Sequence, residues 1–272
     1  MGERIKVLIT VTTYPTPSSK YDELVCTAGV REDGSFIRLY PIDYRYRPYW
    51  QWYHKYQWIE VEVERRLQDP RPESFRPIGE IIPLGPPIDT NNNWAKRKQY
   101  VFAKGISAMC ELQKKAQGEP SLGIIKPSVV EDFIIEETER EFPVEYLIRM
   151  RQMDIFQSDK RKPLEKIPYK FSYKFSYKFR CEDPECSGHK QMITDWELGA
   201  LYLRMRDQYQ DERIACDKVR EKFYDTICAA DKDTHFFVGT TLAYGTWIVI
   251  GTFWPKKASN SQQLTFPDIL SS

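Results

Sequence analysis

Residues Tyr169 to Glu197 read YKFSYKFSYKFRCEDPECSGHKQMITDWE. This stretch sets the fold class. In an extended chain successive side chains point to opposite faces. Tyr169, Phe171, Tyr173, Phe175, Tyr177 and Phe179 therefore share one face, and Lys170, Ser172, Lys174, Ser176 and Lys178 share the other. A helical period could not sort the two sets so cleanly, and aromatics repeating every second residue suit a pleated, half-buried surface. The segment is expected to be a strand. The lysines on its other face are either a solvated sheet surface or a row of phosphate contacts.

Cys181, Cys186 and His189 follow, spaced C-x4-C-x2-H around Asp183-Pro184 and Gly188. Turn residues between thiols let the chain fold back so that two sulfurs and an imidazole can reach one ion, as a tetrahedral zinc site requires. No fourth ligand lies in the next few residues. His235 is the favoured candidate, with Cys216 and Cys228 as alternates and Asp195 and His54 behind them. The competing expectation is a pair of buried free thiols beside a capping histidine.

Thr194-Asp195-Trp196-Glu197 has the form of a capping box, with Thr194 bonding the amide of Glu197 and Glu197 reaching back. Asp195 then falls in the first turn, where the helix dipole favours negative charge. If the metal lies beside them, Asp195 and Glu197 become candidates for general acid and base work.

The 272 residues allow one large domain or two small ones. Lys and Arg number 40 against 39 for Asp and Glu, so no global basic field marks a nucleic-acid partner. Locally, Lys160 to Arg180 holds eight basic residues against one acid, Glu165. Phe, Trp and Tyr make up 14% of the chain, pointing to aromatic cores or stacking surfaces. No apolar run could span a bilayer, and MGERIKVLIT lacks the apolar stretch of a secretory signal. A reducing, cytoplasmic setting with free thiols is expected.

In chain order, 5–12 reads as a buried strand. A hairpin runs over 23–30 and 36–40 about Glu32-Asp33-Gly34, placing Arg38 beside Phe36 and Tyr40 as a candidate phosphate or base contact. Tyr44 to Trp58 is dense in Tyr and Trp and must pack on something or present a stacking surface. Ile59, Val61 and Val63 alternate with Glu60, Glu62 and Glu64 in a half-buried strand. In the proline-stiffened loop from Arg65 to Arg76, acids and arginines are expected to pair with each other. Short strands with proline punctuation suggest an amino-terminal β-barrel of the PUA, OB or SH3-like kind over 1–90, by analogy only.

Asn91-Asn92-Asn93 precedes an expected helix from Trp94 to Lys115, ended by Gly118 and Pro120. Residues 122–127 and 129–136 read as a strand pair, closing a connector over 91–157. Val144 to Met153 is expected to be extended, with a boundary near 157–163. The zinc-stapled module, 158–257, continues with a helix from Asp195 carrying Leu198, Leu201, Tyr202, Met205 and Tyr209 on one face. A second helix over 211–230 carries Ala215, Val219, Phe223 and Ile227. A hairpin over 235–240 and 247–253 is expected to lie beside the aromatic strand, and 258–272 is a loose tail.

The fold class is therefore α+β: a small amino-terminal β-barrel, then a mixed module of antiparallel strands and helices with a candidate zinc knuckle. No phosphate-binding loop, dinucleotide fingerprint, nucleophile elbow, H-E-x-x-H or deaminase pattern occurs. The leading expectation is a DNA- or RNA-binding protein, with Arg38, Lys170, Lys174, Lys178 and Arg180 on phosphates and Tyr44, Trp50 and Trp52 stacking on bases. The alternatives are a metal-dependent enzyme processing nucleic acid or a modified base, and a protein-interaction module docking through the aromatic face.

Overall fold

The computed structural model describes residues 2–18, 22–44, 47–115, 120–139, 171–242 and 245–258. Strands dominate a mixed α and β fold. In the first part, β1 (Glu3–Thr12), β2 (Thr16–Ser18), β3 (Asp22–Arg31), β4 (Phe36–Ile42), β5 (Trp58–Arg65) and β6 (Ser74–Leu84) form one sheet in the order β1-β5-β6-β4-β3-β2. β1 also pairs with β3, so the sheet closes in a ring with β2 outside it. The β-branched first strand supplies Val7, Leu8 and Ile9, all fully buried, and β5 turns Ile59, Val61 and Val63 inward. Such closure leaves fewer unpaired edges than an open sheet.

Two three-stranded sheets complete the fold. β8 (Val129–Glu137), β9 (Tyr173–Arg180) and β10 (His189–Met192) form one, with β9 central; β7 (Leu122–Ile125), β11 (His235–Thr240) and β12 (Trp247–Phe253) form the other, with β11 central. The sequence suggested that 122–127 and 129–136 pair with each other. Instead β7 joins β11 and β8 joins β9, because the proline-bearing link between them sends consecutive strands into different sheets. The 235–253 hairpin forms as its spacing suggests, but its free edge is covered by β7 and not by β9.

The alternation of β9 holds for its aromatics and its lysines, whereas Ser172 and Ser176, expected on the lysine face, are buried. Phe175, Tyr177 and Phe179 are buried while Lys174, Lys178 and Arg180 are exposed. Tyr177 stacks on Phe236 of β11 with ring centroids 4.4 Å apart, and its hydroxyl donates to the Phe223 carbonyl at 2.6 Å. Burying such side chains stabilises the fold by about 1.5–3 kcal/mol each. The aromatic face is thus core, and it is not available to dock a partner. Lys170, Val144 to Met153 and the boundary near 157–163 lie outside the described residues.

The helix expected from Trp94 to Lys115 divides in two, α1 (Asn91–Val101) and α2 (Met109–Lys114). Gly105, at φ 83°, turns the chain between them. α3 (Trp196–Tyr209) starts one residue later than a Thr194 cap implies: Asp195 is the cap and accepts from the Glu197 amide at 2.8 Å. Gly199 on α3 is required for space, since a Cβ there would come within 2.3 Å of the Tyr14 ring. α4 (Glu212–Arg220) runs into a π-helical turn, Glu221–Thr226, burying Ala215, Val219, Phe223 and Ile227.

A buried polar hub joins the ring sheet to β7. Arg38 is 3% exposed and donates to Ser121 Oγ at 2.7 Å, to the Ser121 carbonyl at 3.0 Å and to Ser74 Oγ at 3.2 Å. Glu73 accepts from the Ser121 amide and hydroxyl. Beside it, Arg71 grips Asp69 through two hydrogen bonds and reaches the Thr240 carbonyl on β11. The acids and arginines of this loop do pair with each other. Arg38, by contrast, is removed from the surface and cannot contact a phosphate there. Replacing Arg38 with Met should lower unfolding stability by about 3 kcal/mol, the scale of lost charged hydrogen bonds; urea titration followed by tryptophan fluorescence measures it.

Candidate metal centre and binding surfaces

Four side chains converge where α2 meets the turn between β9 and β10. Cys110, Cys181, Cys186 and His189 place their donor atoms within 4.8 Å of one another. His189 Nε2 lies 3.3 Å from Cys186 Sγ and 3.5 Å from Cys110 Sγ, and the Cys181 amide points at Cys186 Sγ at 3.5 Å. Gly188, at φ 97°, supplies the left-handed residue that brings His189 back against the thiols. His189 opens β10 opposite Phe179, and its ring packs on that residue at 5.1 Å.

The electrostatics fit a cation. Burial opposes ionisation of Cys181, but the Cys110 amide and the His189 ring outweigh it and bring the thiol down to about 6. Cys110 is pushed up to about 12 by burial and by the neighbouring sulfurs. A divalent ion would remove that mutual penalty and hold the thiols as thiolates. The cluster could therefore hold a metal ion.

Cys181, Cys186 and His189 belong to this group, as their spacing suggests. The fourth member is Cys110, and His235 lies elsewhere. Its Nδ1 sits 2.9 Å from the Asp233 carbonyl and its ring packs on Phe102 at 4.8 Å, because β11 belongs to the other three-stranded sheet. Cys216 is buried on α4 and Cys228 donates to the Phe223 carbonyl, so neither alternate joins the group. Sequence reading missed Cys110 by running one helix through residue 105. The glycine there was the available signal.

Asp195 and Glu197 do not stand beside the cluster's donors. Both engage Lys55, at 3.4 and 3.1 Å. Burial raises the Asp195 carboxyl, against the pull of Lys55. Burial alone would lower the Lys55 ammonium, but the two carboxylates outweigh it and hold it above its ordinary value.

The basic face of β9 is met by acids of β8. Glu131 pairs with Lys178 at 3.1 Å and Arg180 at 2.6 Å, Glu136 pairs with Lys190 at 2.8 Å, and Lys174 lies opposite Glu136 in register. Exposed pairs of this kind add little stability, yet they cancel the field that the sequence promised. The aromatic segment before β5 behaves differently. Tyr49, Trp50 and Trp52 are 83%, 54% and 37% exposed. Tyr44 is half-buried and packs on Trp52 at 5.4 Å and Trp196 at 5.7 Å. Arg47 fixes this shelf from beneath, bonding Asp43, Gln51 and the Gly79 carbonyl, while Trp52 Nε1 donates to the Arg47 carbonyl.

A family model described as a domain of unknown function, DUF8757, matches residues 105–268, which include the whole Cys and His group. The chain belongs to that family. A second such model, DUF8758, matches residues 3–103. No curated protein matches. Among solved structures, a murine DNA-binding protein bound with double-stranded DNA aligns over 96% of this chain and 99% of that one, at 8% identity and a TM-score of 0.33.

Cys110→Ser should cut metal retention at least tenfold after dialysis against a weak chelator, read as metal per chain by mass spectrometry, whereas His235→Ala should leave it unchanged.

Proposed function

We propose that the chain is a nucleic-acid-binding protein whose carboxy-terminal sheets are stapled by a structural zinc ion at Cys110, Cys181, Cys186 and His189. Three thiols and an imidazole form a donor set suited to zinc, and four protein ligands close a tetrahedron without an open position for substrate. The ion would supply a fixed tie between α2 and the β9–β10 turn. No chemical step is assigned to it.

The observation that carries the nucleic-acid reading is the exposed shelf of Tyr49, Trp50 and Trp52. From Tyr44 to Trp58 the sequence also holds Arg45, Arg47, His54 and Lys55, of which Arg47 is paired with Asp43 and Lys55 with Asp195 and Glu197. Exposed aromatic rings favour stacked bases, which any nucleic-acid strand presents. The ion pairs between Glu131 and Lys178 and Arg180 argue against β9 as the phosphate-binding strand.

Fluorescence anisotropy with labelled single- and double-stranded DNA and RNA, titrated across salt, tests the reading. Trp50→Ala with Trp52→Ala should weaken binding by about 1–3 kcal/mol per stacked base. Lys178→Ala should leave the salt slope nearly unchanged. Absence of binding to every nucleic acid at low salt, or full binding by the double variant, would overturn it.

A further inference from the structure

A cleft of about 490 Å³ opens beside the Lys55 clasp. Lys55, Tyr56, Trp94 and Arg97 line it from the region over 3–103 that DUF8758 matches, and Thr252, Trp254 and Lys256 from the region over 105–268 that DUF8757 matches. Its size is in the range of small-molecule sites, which often lie where two units meet. Its walls are aromatic: Trp94 lies 5.5 Å from Trp254 and 6.2 Å from Tyr56. The Arg97 guanidinium is stacked 4.0 Å above the Tyr56 ring and 5.0 Å from that of Trp94, with Nε donating to the Ile88 carbonyl.

Two hydroxyls among the lining residues have no hydrogen-bond partner in the protein. Tyr56 is 5% exposed and Thr252 is 2% exposed, and neither side-chain oxygen is satisfied. Buried polar groups are otherwise almost always paired, so these two are unused hydrogen-bonding capacity in residues of the cleft wall. Burial moves the Tyr56 phenol up to about 12, which keeps its proton available for donation at neutral pH. The charge is cationic. Lys232 pairs with Asp231 and Lys55 with Asp195 and Glu197, whereas Arg97 and Lys256 make no ion pair among the described residues. The walls are also held open by construction. Asn92, Asn93 and Trp94 are all left-handed, and the Asn93 amide exchanges two 2.8 Å hydrogen bonds with the backbone of Lys256. Non-glycine residues persist in that conformation only where the surroundings fix them.

We infer that this cleft binds a nucleoside phosphate, with the base against the Trp254 and Arg97 planes, the phosphate at Arg97 and Lys256, and the Tyr56 and Thr252 hydroxyls on the ligand's polar edge. The aromatic shelf at Tyr49 to Trp52 plays no part in it, so the site stands or falls separately from the function proposed above. A free nucleotide and one unit of a strand present the same chemistry. A second groove of about 590 Å³ meets the cleft at Glu197 and Trp254 and carries Arg204 and Lys222, with Lys218 paired to Glu221, so a longer ligand has room to extend along it.

Calorimetric titration of the full chain with AMP, GMP, CMP and UMP, with adenosine, with inorganic phosphate and with a 5′-phosphorylated tetranucleotide tests the site. At least one monophosphate or the tetranucleotide should bind, with adenosine and phosphate at least tenfold weaker. Binding by monophosphates identifies a free nucleotide as sufficient, and binding by the tetranucleotide alone identifies a strand. In either case Lys256→Gln should weaken binding several-fold and Arg97→Gln with Lys256→Gln at least tenfold, at unchanged melting temperature for the exposed Lys256 variant. Trp50→Ala with Trp52→Ala should leave the monophosphate affinity unaltered. No binding by any probe at low salt, or undiminished binding by the Lys256 and double variants, would overturn the assignment.

Discussion

Three sulfurs and an imidazole held within 4.8 Å are the constraint around which the carboxy-terminal part is arranged. Cys181 and Cys186 are buried in the same core as Phe175, Tyr177, Phe179 and Phe236, and Cys110 packs against it from α2. Thiols that can ionise are costly in such surroundings unless a cation or proton compensates them. The two segments that supply them, α2 and residues 181–189, are far apart in sequence, so the cluster closes a long loop and fixes α2 to the start of β10. Its worth to the fold lies in that closure, and β9 owes its central place to the turn that carries two of the four donors.

Two polar clasps set the ring sheet against the rest. At one, Arg38 bonds Ser74 and Ser121 while Glu73 holds Ser121 from the other side. At the other, Lys55 reaches from the loop before β5 to Asp195 and Glu197 at the start of α3. Both are buried or half-buried, so removing one partner strands the other in a medium that stabilises isolated charge poorly. These clasps explain why residues with the chemistry of phosphate contact or proton transfer are occupied internally. They also position the aromatic cleft, whose floor is the Lys55 clasp.

The period-two pattern of β9 was legible because alternation is a local property of an extended chain, and the stripes of α3 and α4 were legible for the same reason at helical spacing. Cys181, Cys186 and His189 could be grouped because the turn that unites them is short. Partners across the chain were not. Whether 122–127 meets 129–136 or 235–240 depends on which sheet edge is open, and that is decided by the whole molecule. Cys110 and His235 were exchanged on this account, and so were the surface and interior roles of Arg38, whose flanking Phe36 and Tyr40 gave no sign of the serines waiting in Ser74 and Ser121. The cleft was invisible because Lys55, the Trp94 and Arg97 pair on α1, and Lys256 come from three distant segments, and the Asn93 bonds that tie α1 to Lys256 leave no mark in the sequence.

The most direct measurement is X-ray absorption at the zinc edge on the purified protein. One zinc per chain, with three sulfur ligands at about 2.3 Å and one nitrogen at about 2.0 Å, is the result expected of Cys110, Cys181, Cys186 and His189. Substoichiometric metal, or a shell with two sulfurs completed by oxygen, would contradict the four-ligand staple and leave α2 untied from the β9–β10 turn.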